Sequence, residues 1–186
     1  AMNAIISQHI ARYEGFLSTK QCLELIEEFE LRQPEHKKGP TNGYCLARGT
    51  YFYTYLRRNP LEYSFNRNLV GTILNYSKKY FALGNLPLGW SDAAYCLTKK
   101  YDVGDHYSIE HCEIDGLLNG HSQRVLAWMI YLNTIEKDGG TFFPQQEFTA
   151  DAIAGDLLIW PAGWTHSHYG IKAETSEKYI ISGWVE

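Results

Sequence analysis

Residues 101–113 read YDVGDHYSIEHCE, and this stretch decides which fold and which chemistry we expect of the chain. Side chains alternate between the two faces of an extended strand. The spacing of His111 and Glu113 therefore predicts that both point to one face, while Cys112 between them points to the other. An imidazole and a carboxylate on one face are two ligands that can reach the same metal ion.

A second predicted strand, over residues 164–169, carries His166 and His168, which share a strand parity. Such a strand could supply a third ligand, and two imidazoles with one carboxylate form the set that binds non-haem Fe(II) and leaves coordination positions open. Asp115 has the same parity as Glu113 and is the alternative carboxylate. The residue pattern alone leaves both choices open.

The segment after Trp90 changes to short apolar and aromatic runs that are separated by turn residues. These runs predict eight β-strands, over residues 93–101, 107–113, 125–133, 140–144, 148–150, 156–160, 164–169 and 178–185. Eight strands with glycine-rich turns fit a double-sheet jelly roll. We therefore expect a mainly β protein with bracing helices, a cupin-like double-stranded β-helix.

The N-terminal part of the chain predicts a strand over residues 4–17 and two helices. Ser18 and Gln21 form a capping box that starts the first helix. Its apolar stripe consists of Cys22, Leu25, Ile26 and Phe29. The second helix spans residues 61–83, with apolar positions at Leu69, Val70, Ile73, Leu74, Tyr80 and Phe81. Between the helices, Tyr51–Tyr55 has the character of a strand, with a lid over the site as the alternative.

The composition fits one globular domain over residues 1–186, with helical support over about 1–89 and a jelly-roll core over about 90–186. The net charge is −4 and no long basic run is present, so we expect no partner bound through a nucleic-acid backbone. No apolar run reaches membrane-spanning length, and we expect no membrane partner. The four cysteines, Cys22, Cys45, Cys96 and Cys112, lack CxxC spacing. This pattern favours reduced thiols and a cytoplasmic location.

Several short motifs follow one another in the order and spacing of a known family. They are Tyr101-x-x-Gly104-x-x-Tyr107, Arg-Val-Leu at 124–126 before Ile-Tyr-Leu-Asn at 130–133, Gly-Gly-Thr-Phe-Phe at 139–143, Gly-Asp-Leu-Leu-Ile-Trp-Pro at 155–161, and His168 with Lys178 ten residues later. Through them the chain resembles the 2-oxoglutarate- and Fe(II)-dependent dioxygenases, specifically the prolyl 4-hydroxylase-like branch with its phage and marine bacterial relatives. The resemblance runs from about Trp90 to the end of the sequence and implies the same jelly-roll fold.

The resemblance implies that His111, Glu113 and His168 are the metal ligands and the catalytic centre. His168 is preferred over His166 because a basic residue follows the distal histidine by ten positions in the prolyl hydroxylases, and Lys178 fits that spacing. Glu113 departs from the commoner His-x-Asp of the family by one methylene group. This departure bears on the coordination geometry rather than on the reaction class.

The resemblance also implies the cofactor site, with Fe(II), 2-oxoglutarate and O2 as the reacting set and ascorbate as a candidate accessory. Lys178 would bind the distal carboxylate of 2-oxoglutarate, and Tyr131 and Tyr101 would donate hydrogen bonds to it or line its pocket. Thr141 and Trp184 are expected in the pocket wall. Fe(II) with one carboxylate leaves one positive charge, the cosubstrate brings two negative charges, and one ammonium restores neutrality.

The activity implied by the resemblance is hydroxylation of an unactivated C–H bond, with a prolyl residue of a peptide or protein as the leading substrate. A free amino acid, another small molecule and a nucleobase are the alternative substrates. Outside enzymes, the alternative is a cupin-like metal-binding or scaffold protein without turnover. A metallohydrolase is disfavoured because the sequence lacks the HExxH helix signature.

Overall fold

The computed structural model describes residues 2–33, 37–38, 51–55, 60–86, 96–114 and 123–186, and β-strands dominate this part of the chain. The strands are β1 (Ala4–Ser7), β2 (Ile10–Tyr13), β3 (Lys37–Lys38), β4 (Tyr51–Tyr55), β5 (Leu97–Tyr101), β6 (Leu126–Tyr131), β7 (Thr141–Phe143), β8 (Phe148–Ala150), β9 (Leu157–Pro161), β10 (Tyr169–Gly170) and β11 (Lys178–Val185). The α-helices are α1 (Thr19–Leu31), α2 (Pro60–Ser77) and α3 (Phe81–Gly84).

The described strands form two antiparallel sheets. The larger sheet has eight strands in the order β1-β2-β9-β6-β11-β5-β4-β3, and the smaller has three in the order β10-β7-β8. Strands that are distant in sequence lie side by side in the larger sheet, with β11 between β5 and β6. This arrangement confirms the predicted double-stranded β-helix.

The middle of the larger sheet is buried on both faces, as the six buried residues of β6 show. Trp128 and Ile130 belong to a core cluster with Phe65 of α2 on the helix side of the sheet. Met129 and Tyr131 belong to a second cluster, which includes residues of the smaller sheet. Because side chains alternate along a strand, one face of β6 holds the bracing helices and the other faces the interior between the sheets. The interior face is the one that carries the site.

Helix α1 begins and packs as its sequence predicts. The Ser18 hydroxyl accepts a hydrogen bond from the Gln21 amide at 3.2 Å, and the Gln21 side chain accepts one from the Ser18 amide at 2.9 Å. This reciprocal pair is a capping box. On the predicted stripe, Cys22, Leu25 and Phe29 are buried and Ile26 is half-buried.

The single helix predicted over residues 61–83 is instead two helices, α2 and α3. The Tyr80 amide donates to the Ser77 carbonyl at 3.1 Å, in a tight turn that changes the phase of the residues that follow. Leu69 and Ile73 are buried as predicted, but Phe81 is 90% exposed. Leu74 also points outward, with 40% exposure. No helix within the described residues is long and apolar enough to cross a bilayer.

The N-terminal part of the chain contributes strands as well as helices to the fold. The one strand predicted over residues 4–17 is a hairpin of β1 and β2, which Gln8 and His9 connect with φ angles of 49° and 67°. Strand β2 pairs with β9 and so joins the larger sheet. Tyr51–Tyr55 pairs with β5, which makes it a strand of that sheet rather than a lid.

Candidate metal centre

The structure brings the side chains of His111, Glu113 and His168 together on the inner side of the larger sheet. Their ligand atoms all lie within 4.8 Å of one another. Oε1 of Glu113 is 3.0 Å from Nε2 of His168 and 3.8 Å from Nε2 of His111. Two imidazole nitrogens and one carboxylate oxygen thus converge as a three-donor set that could hold a metal ion.

The backbone achieves this convergence differently from the two predicted strands. The strand predicted over residues 107–113 is wrong, because the chain there is irregular apart from one antiparallel bridge between His111 and His168. The two residues exchange backbone hydrogen bonds of 3.0 and 2.9 Å, which bring their ring centroids to 4.5 Å. The Glu113 amide donates to the Ala162 carbonyl at 3.0 Å. Direct pairing of the two histidines, rather than strand alternation, therefore makes them neighbours.

Each histidine of the cluster is oriented by a backbone carbonyl. Nδ1 of His111 lies 2.8 Å from the Ile109 carbonyl, and Nδ1 of His168 lies 3.0 Å from the His166 carbonyl. A carbonyl only accepts hydrogen bonds, so each Nδ1 carries the proton and donates it. Each Nε2 then faces the centre, where a bound metal would take the place of any proton that Nε2 carries, as it does in metal-binding imidazoles.

The charge state of the cluster also suits a divalent cation. Burial, reinforced by the neighbouring His168, lowers the pKa of His111 to about 4. Burial by itself raises the pKa of Glu113, but the hydrogen bond and charge of His168, the charge of His111 and the hydrogen bond of Trp184 together lower it to about 2. Near neutral pH His111 is therefore neutral and Glu113 is ionised, and both states are those required of ligands.

His166 is directed away from this cluster. The strand predicted over residues 164–169 is wrong in its first half, because Trp164–His166 forms a turn of 3-10 helix and only Tyr169–Gly170 is extended. Nδ1 of His166 lies 3.0 Å from the Thr165 hydroxyl, and its Nε2 lies 2.9 Å from the Gln8 carbonyl. Both ring nitrogens thus have partners in the protein, and His168 alone of the two histidines joins the cluster.

Of the other residues considered as ligands or as paired thiols, those that the structure describes do not belong to the donor set. Cys112 contributes its thiol to a hydrogen bond with the Ile114 carbonyl at 3.1 Å, and it is not a member of the donor set. Cys22, Cys96 and Cys112 are free cysteines. Asp115, the alternative carboxylate, and Cys45 lie outside the residues that the structure describes.

A buried ammonium group lies at the start of β11. Lys178 is 5% exposed and pairs in register with Tyr101. Its Nζ lies 5.9 Å from the ring centroid of Tyr101, 5.5 Å from that of Tyr131 and 3.4 Å from the Gly140 carbonyl. Within the described residues, no carboxylate forms an ion pair with it. Burial lowers the pKa of Lys178 to about 7. An ammonium in this setting has strong need of an anionic partner.

Hydroxyl groups and a glycine complete the surroundings of Lys178. The hydroxyls of Tyr131 and Thr141, both buried, lie 2.7 Å apart. Gly170 follows His168 by two residues, and a Cβ atom placed there would lie 3.9 Å from Nζ of Lys178. Lys178 therefore lies beside the segment that carries His168. The donor set fits Fe(II), and the neighbouring cation and hydroxyls fit the distal end of a dicarboxylate such as 2-oxoglutarate.

One contact of the cluster goes beyond the pocket-wall role expected for Trp184. The indole Nε1 donates a hydrogen bond to Oε2 of Glu113 at 2.5 Å. Trp184 and Lys178 have the same parity on β11, so the sequence does predict that they share the inner face. The contact itself depends on the course of the segment that carries Glu113, which no local pattern specifies.

Comparison with known proteins gives the same interpretation as the site. The family model of the 2OG-Fe(II) oxygenase superfamily matches residues 96–186. No curated protein matches the sequence at a significant level. Among solved structures, a viral collagen prolyl hydroxylase from Paramecium Bursaria Chlorella virus-1, in its 2OG complex, has a TM-score of 0.70 at 18% identity, with 96% of each chain covered.

Two further structures have the same fold. A Pseudomonas putida prolyl-4-hydroxylase has a TM-score of 0.69 at 16% identity, covering 96% of this chain and 92% of that one. A Trichoplax adhaerens prolyl hydroxylase, in complex with a hypoxia inducible factor peptide fragment, has a TM-score of 0.70 at 18% identity, covering 96% and 84%. The solved structures show the shared fold, and the family match shows that residues 96–186 form a domain of the 2OG-Fe(II) oxygenase superfamily, whose enzymes use Fe(II), 2-oxoglutarate and O2.

Proposed function

We propose that the protein is a 2-oxoglutarate- and Fe(II)-dependent dioxygenase that hydroxylates a prolyl residue of a peptide or protein. The observation that carries the proposal is the cluster of His111, Glu113 and His168 beside the buried ammonium of Lys178. The likeness to three prolyl hydroxylases supports the choice of substrate, and one of those enzymes is bound to a peptide fragment. The likeness in fold alone favours this substrate class over free amino acids, other small molecules and nucleobases.

In this proposal the iron would be held by Nε2 of His111, a carboxylate oxygen of Glu113 and Nε2 of His168. When bound, Fe(II) supplies the oxidative chemistry that couples decarboxylation of 2-oxoglutarate to hydroxylation of a C–H bond. The protein contributes three converging ligands, of which His111 is neutral and Glu113 is ionised near neutral pH. It also contributes an interior lined by apolar side chains, which keeps water from the reacting atoms.

Lys178 would neutralise the distal carboxylate of the cosubstrate. The metal with Glu113 carries one positive charge, 2-oxoglutarate carries two negative charges, and the ammonium of Lys178 completes a neutral set. A carboxylate beside Lys178 favours the charged ammonium, so binding should raise its pKa from the value of about 7 found without a partner. The hydroxyls of Tyr131 and Thr141 lie in the same interior, and Tyr131 would donate to the cosubstrate.

The decisive experiment measures succinate and substrate oxidation together. Purified protein with Fe(II), 2-oxoglutarate and O2 should release succinate and add the mass of one oxygen atom to proline-containing peptides. The Glu113→Ala variant should do neither, and the Lys20→Met variant, which changes an exposed lysine, should do both. Succinate release without peptide oxidation would overturn the prolyl assignment and leave an oxygenase with another substrate. Metal binding without any succinate would instead favour a cupin-like scaffold without turnover.

A further inference from the structure

The two oxygens of the Glu113 carboxylate have different surroundings. Oε1 faces the imidazoles, 3.0 Å from Nε2 of His168 and 3.8 Å from Nε2 of His111. Oε2 faces the other way and accepts the 2.5 Å hydrogen bond from Nε1 of Trp184. The side chain of Glu113 is 11% exposed, so bulk water contributes little to its orientation. One oxygen is thus directed to the metal position and the other to the indole, with Nη1 of Arg124 4.0 Å from that second oxygen.

The indole that holds Oε2 is itself held in place. Trp184 belongs to β11, where it pairs in register with Ala127 of β6. The guanidinium carbon of Arg124 lies 3.8 Å from the indole centroid, which is a stacked cation–π contact. Nη1 of Arg124 also donates to the backbone carbonyl of Glu113 at 3.2 Å. Arg124 therefore links the indole to the backbone of the residue that the indole orients.

A glutamate ligand needs such an arrangement more than a shorter carboxylate does. Its side chain has one more rotatable bond than that of aspartate, so it loses more rotamer freedom when it is fixed at a metal. A carboxylate can also bind a cation through one oxygen or through both. In a facial triad, coordination through both oxygens would occupy a position that the cosubstrate or O2 requires. The hydrogen bond from Trp184 engages the second oxygen and leaves Oε1 to face the metal.

We propose that Trp184 is a positioning residue, which fixes Glu113 as a one-oxygen ligand through the hydrogen bond from its indole N–H to Oε2. Arg124 supports this role by stacking on the indole. The inference rests on the metal centre of the proposed function and adds to it a residue that acts through Glu113.

The test compares Trp184→Phe with Trp128→Phe. The first variant removes the N–H and keeps an aromatic ring beneath Arg124. The second removes an indole from the adjacent strand on the opposite face of the sheet, where Trp128 packs against Phe65. Fe(II) affinity is measured by anaerobic equilibrium dialysis, which needs no turnover. Loss of a group that orients a metal ligand typically weakens metal binding about 10- to 100-fold, and we expect that loss for Trp184→Phe alone.

A second measurement separates positioning from general destabilisation. The Fe(II)-loaded Trp184→Phe variant should form a weaker visible charge-transfer band with 2-oxoglutarate and release more succinate per peptide oxidised than the wild type. If Trp184→Phe does not fold, benzothienylalanine at position 184 keeps the bicyclic shape and removes only the N–H, and its Fe(II) affinity then decides the matter. Wild-type Fe(II) affinity and an unchanged band in the variant that lacks the N–H would overturn the inference. Failure of the wild type itself to bind Fe(II) would refute the proposed function first.

Discussion

Replacement of Lys178 by methionine should stabilise the protein in the absence of its cosubstrate and prevent it from holding 2-oxoglutarate. Lys178 is buried among Tyr101, Tyr131 and the Gly140 carbonyl, and no carboxylate of the described residues pairs with it. Methionine has a similar length and no charge, so it can fill the same space without the cost of burying an ammonium. Stability and cosubstrate binding therefore place opposite demands on this position.

The size of the stabilisation follows from the pKa of Lys178. Burial lowers that pKa from 10.5 to about 7, and each pKa unit corresponds to about 1.4 kcal/mol, so keeping the ammonium charged in the folded state costs about 5 kcal/mol. Between those two pH values the unfolded chain binds more protons than the folded one, and stability therefore rises with pH. The destabilisation by the buried ammonium is fully present below pH 7. It falls by about 2 kcal/mol between pH 7 and pH 9, and it disappears above the unfolded pKa of 10.5.

The assay is urea unfolding of the metal-free protein at several pH values from 6 to 10, followed by tryptophan fluorescence. Lys178→Met should be more stable than the wild type by several kcal/mol at pH 7, and the difference should narrow as the pH rises. Lys20→Met is the matched control, because the Lys20 side chain is 85% exposed and its replacement should leave the pH dependence unchanged. Under anaerobic conditions with Fe(II), the affinity of Lys178→Met for 2-oxoglutarate should fall by about two to three orders of magnitude, since one partner of a buried ion pair is removed.

Three results would each refute a part of this reasoning. A Lys178→Met protein that is no more stable than the wild type at pH 7 would show that the buried ammonium carries no such cost. A stability difference that stays constant from pH 7 to pH 10 would show that Lys178 does not titrate in that range. If Lys178→Met binds 2-oxoglutarate as tightly as the wild type, Lys178 does not bind the cosubstrate, whatever the stability measurements show.

Three further predictions concern the centre and the fold. His168→Ala should abolish Fe(II) retention in equilibrium dialysis. His166→Ala should retain the metal and lose only the stability that the contact with Gln8 contributes. Equal loss of iron by the two variants would contradict the assignment of His168 as the ligand. In the metal-free protein the His111 ring should stay neutral from pH 7 down to about pH 5, as followed by NMR of its imidazole, because burial and the neighbouring His168 lower its pKa to about 4; titration of His111 near pH 6.5 would contradict the effect of burial. Ser18→Ala should destabilise the protein by about 1 kcal/mol through loss of the α1 cap, measured by urea unfolding, while leaving Fe(II) affinity unchanged.

Local patterns in the sequence were sufficient to predict much of the framework. The capping box at Ser18 and Gln21 satisfies amides within one turn of helix, so its geometry depends only on neighbours in sequence. The predicted strands over residues 125–133, 156–160 and 178–185 correspond to β6, β9 and β11, whose apolar runs are buried in the middle of the larger sheet. Burial of a strand on both faces leaves a signal in composition that does not depend on its partners.

The sequence predicted which residue types form the metal centre, but not how the backbone brings them together. Strand alternation named His111 and Glu113 as neighbours, yet the segment that carries them is not a strand, and its bridge to His168 aligns the rings. His166 and His168 have the same strand parity, so parity could not show which of them joins the cluster. In the structure, the 3-10 turn at Trp164–His166 directs the ring of His166 toward Gln8.

The sequence by itself predicted the residue types of the donor set, two imidazoles and one carboxylate, together with the fold class, and it contains the ten-residue spacing from His168 to Lys178. The tertiary structure decided that Glu113 presents one oxygen to the imidazoles and the other to Trp184, and that Lys178 is buried without a carboxylate partner among the described residues. The physical reason is distance along the chain. Backbone propensity and capping act over a few residues, whereas these contacts join segments far apart in sequence, and only packing of the two sheets brings them together.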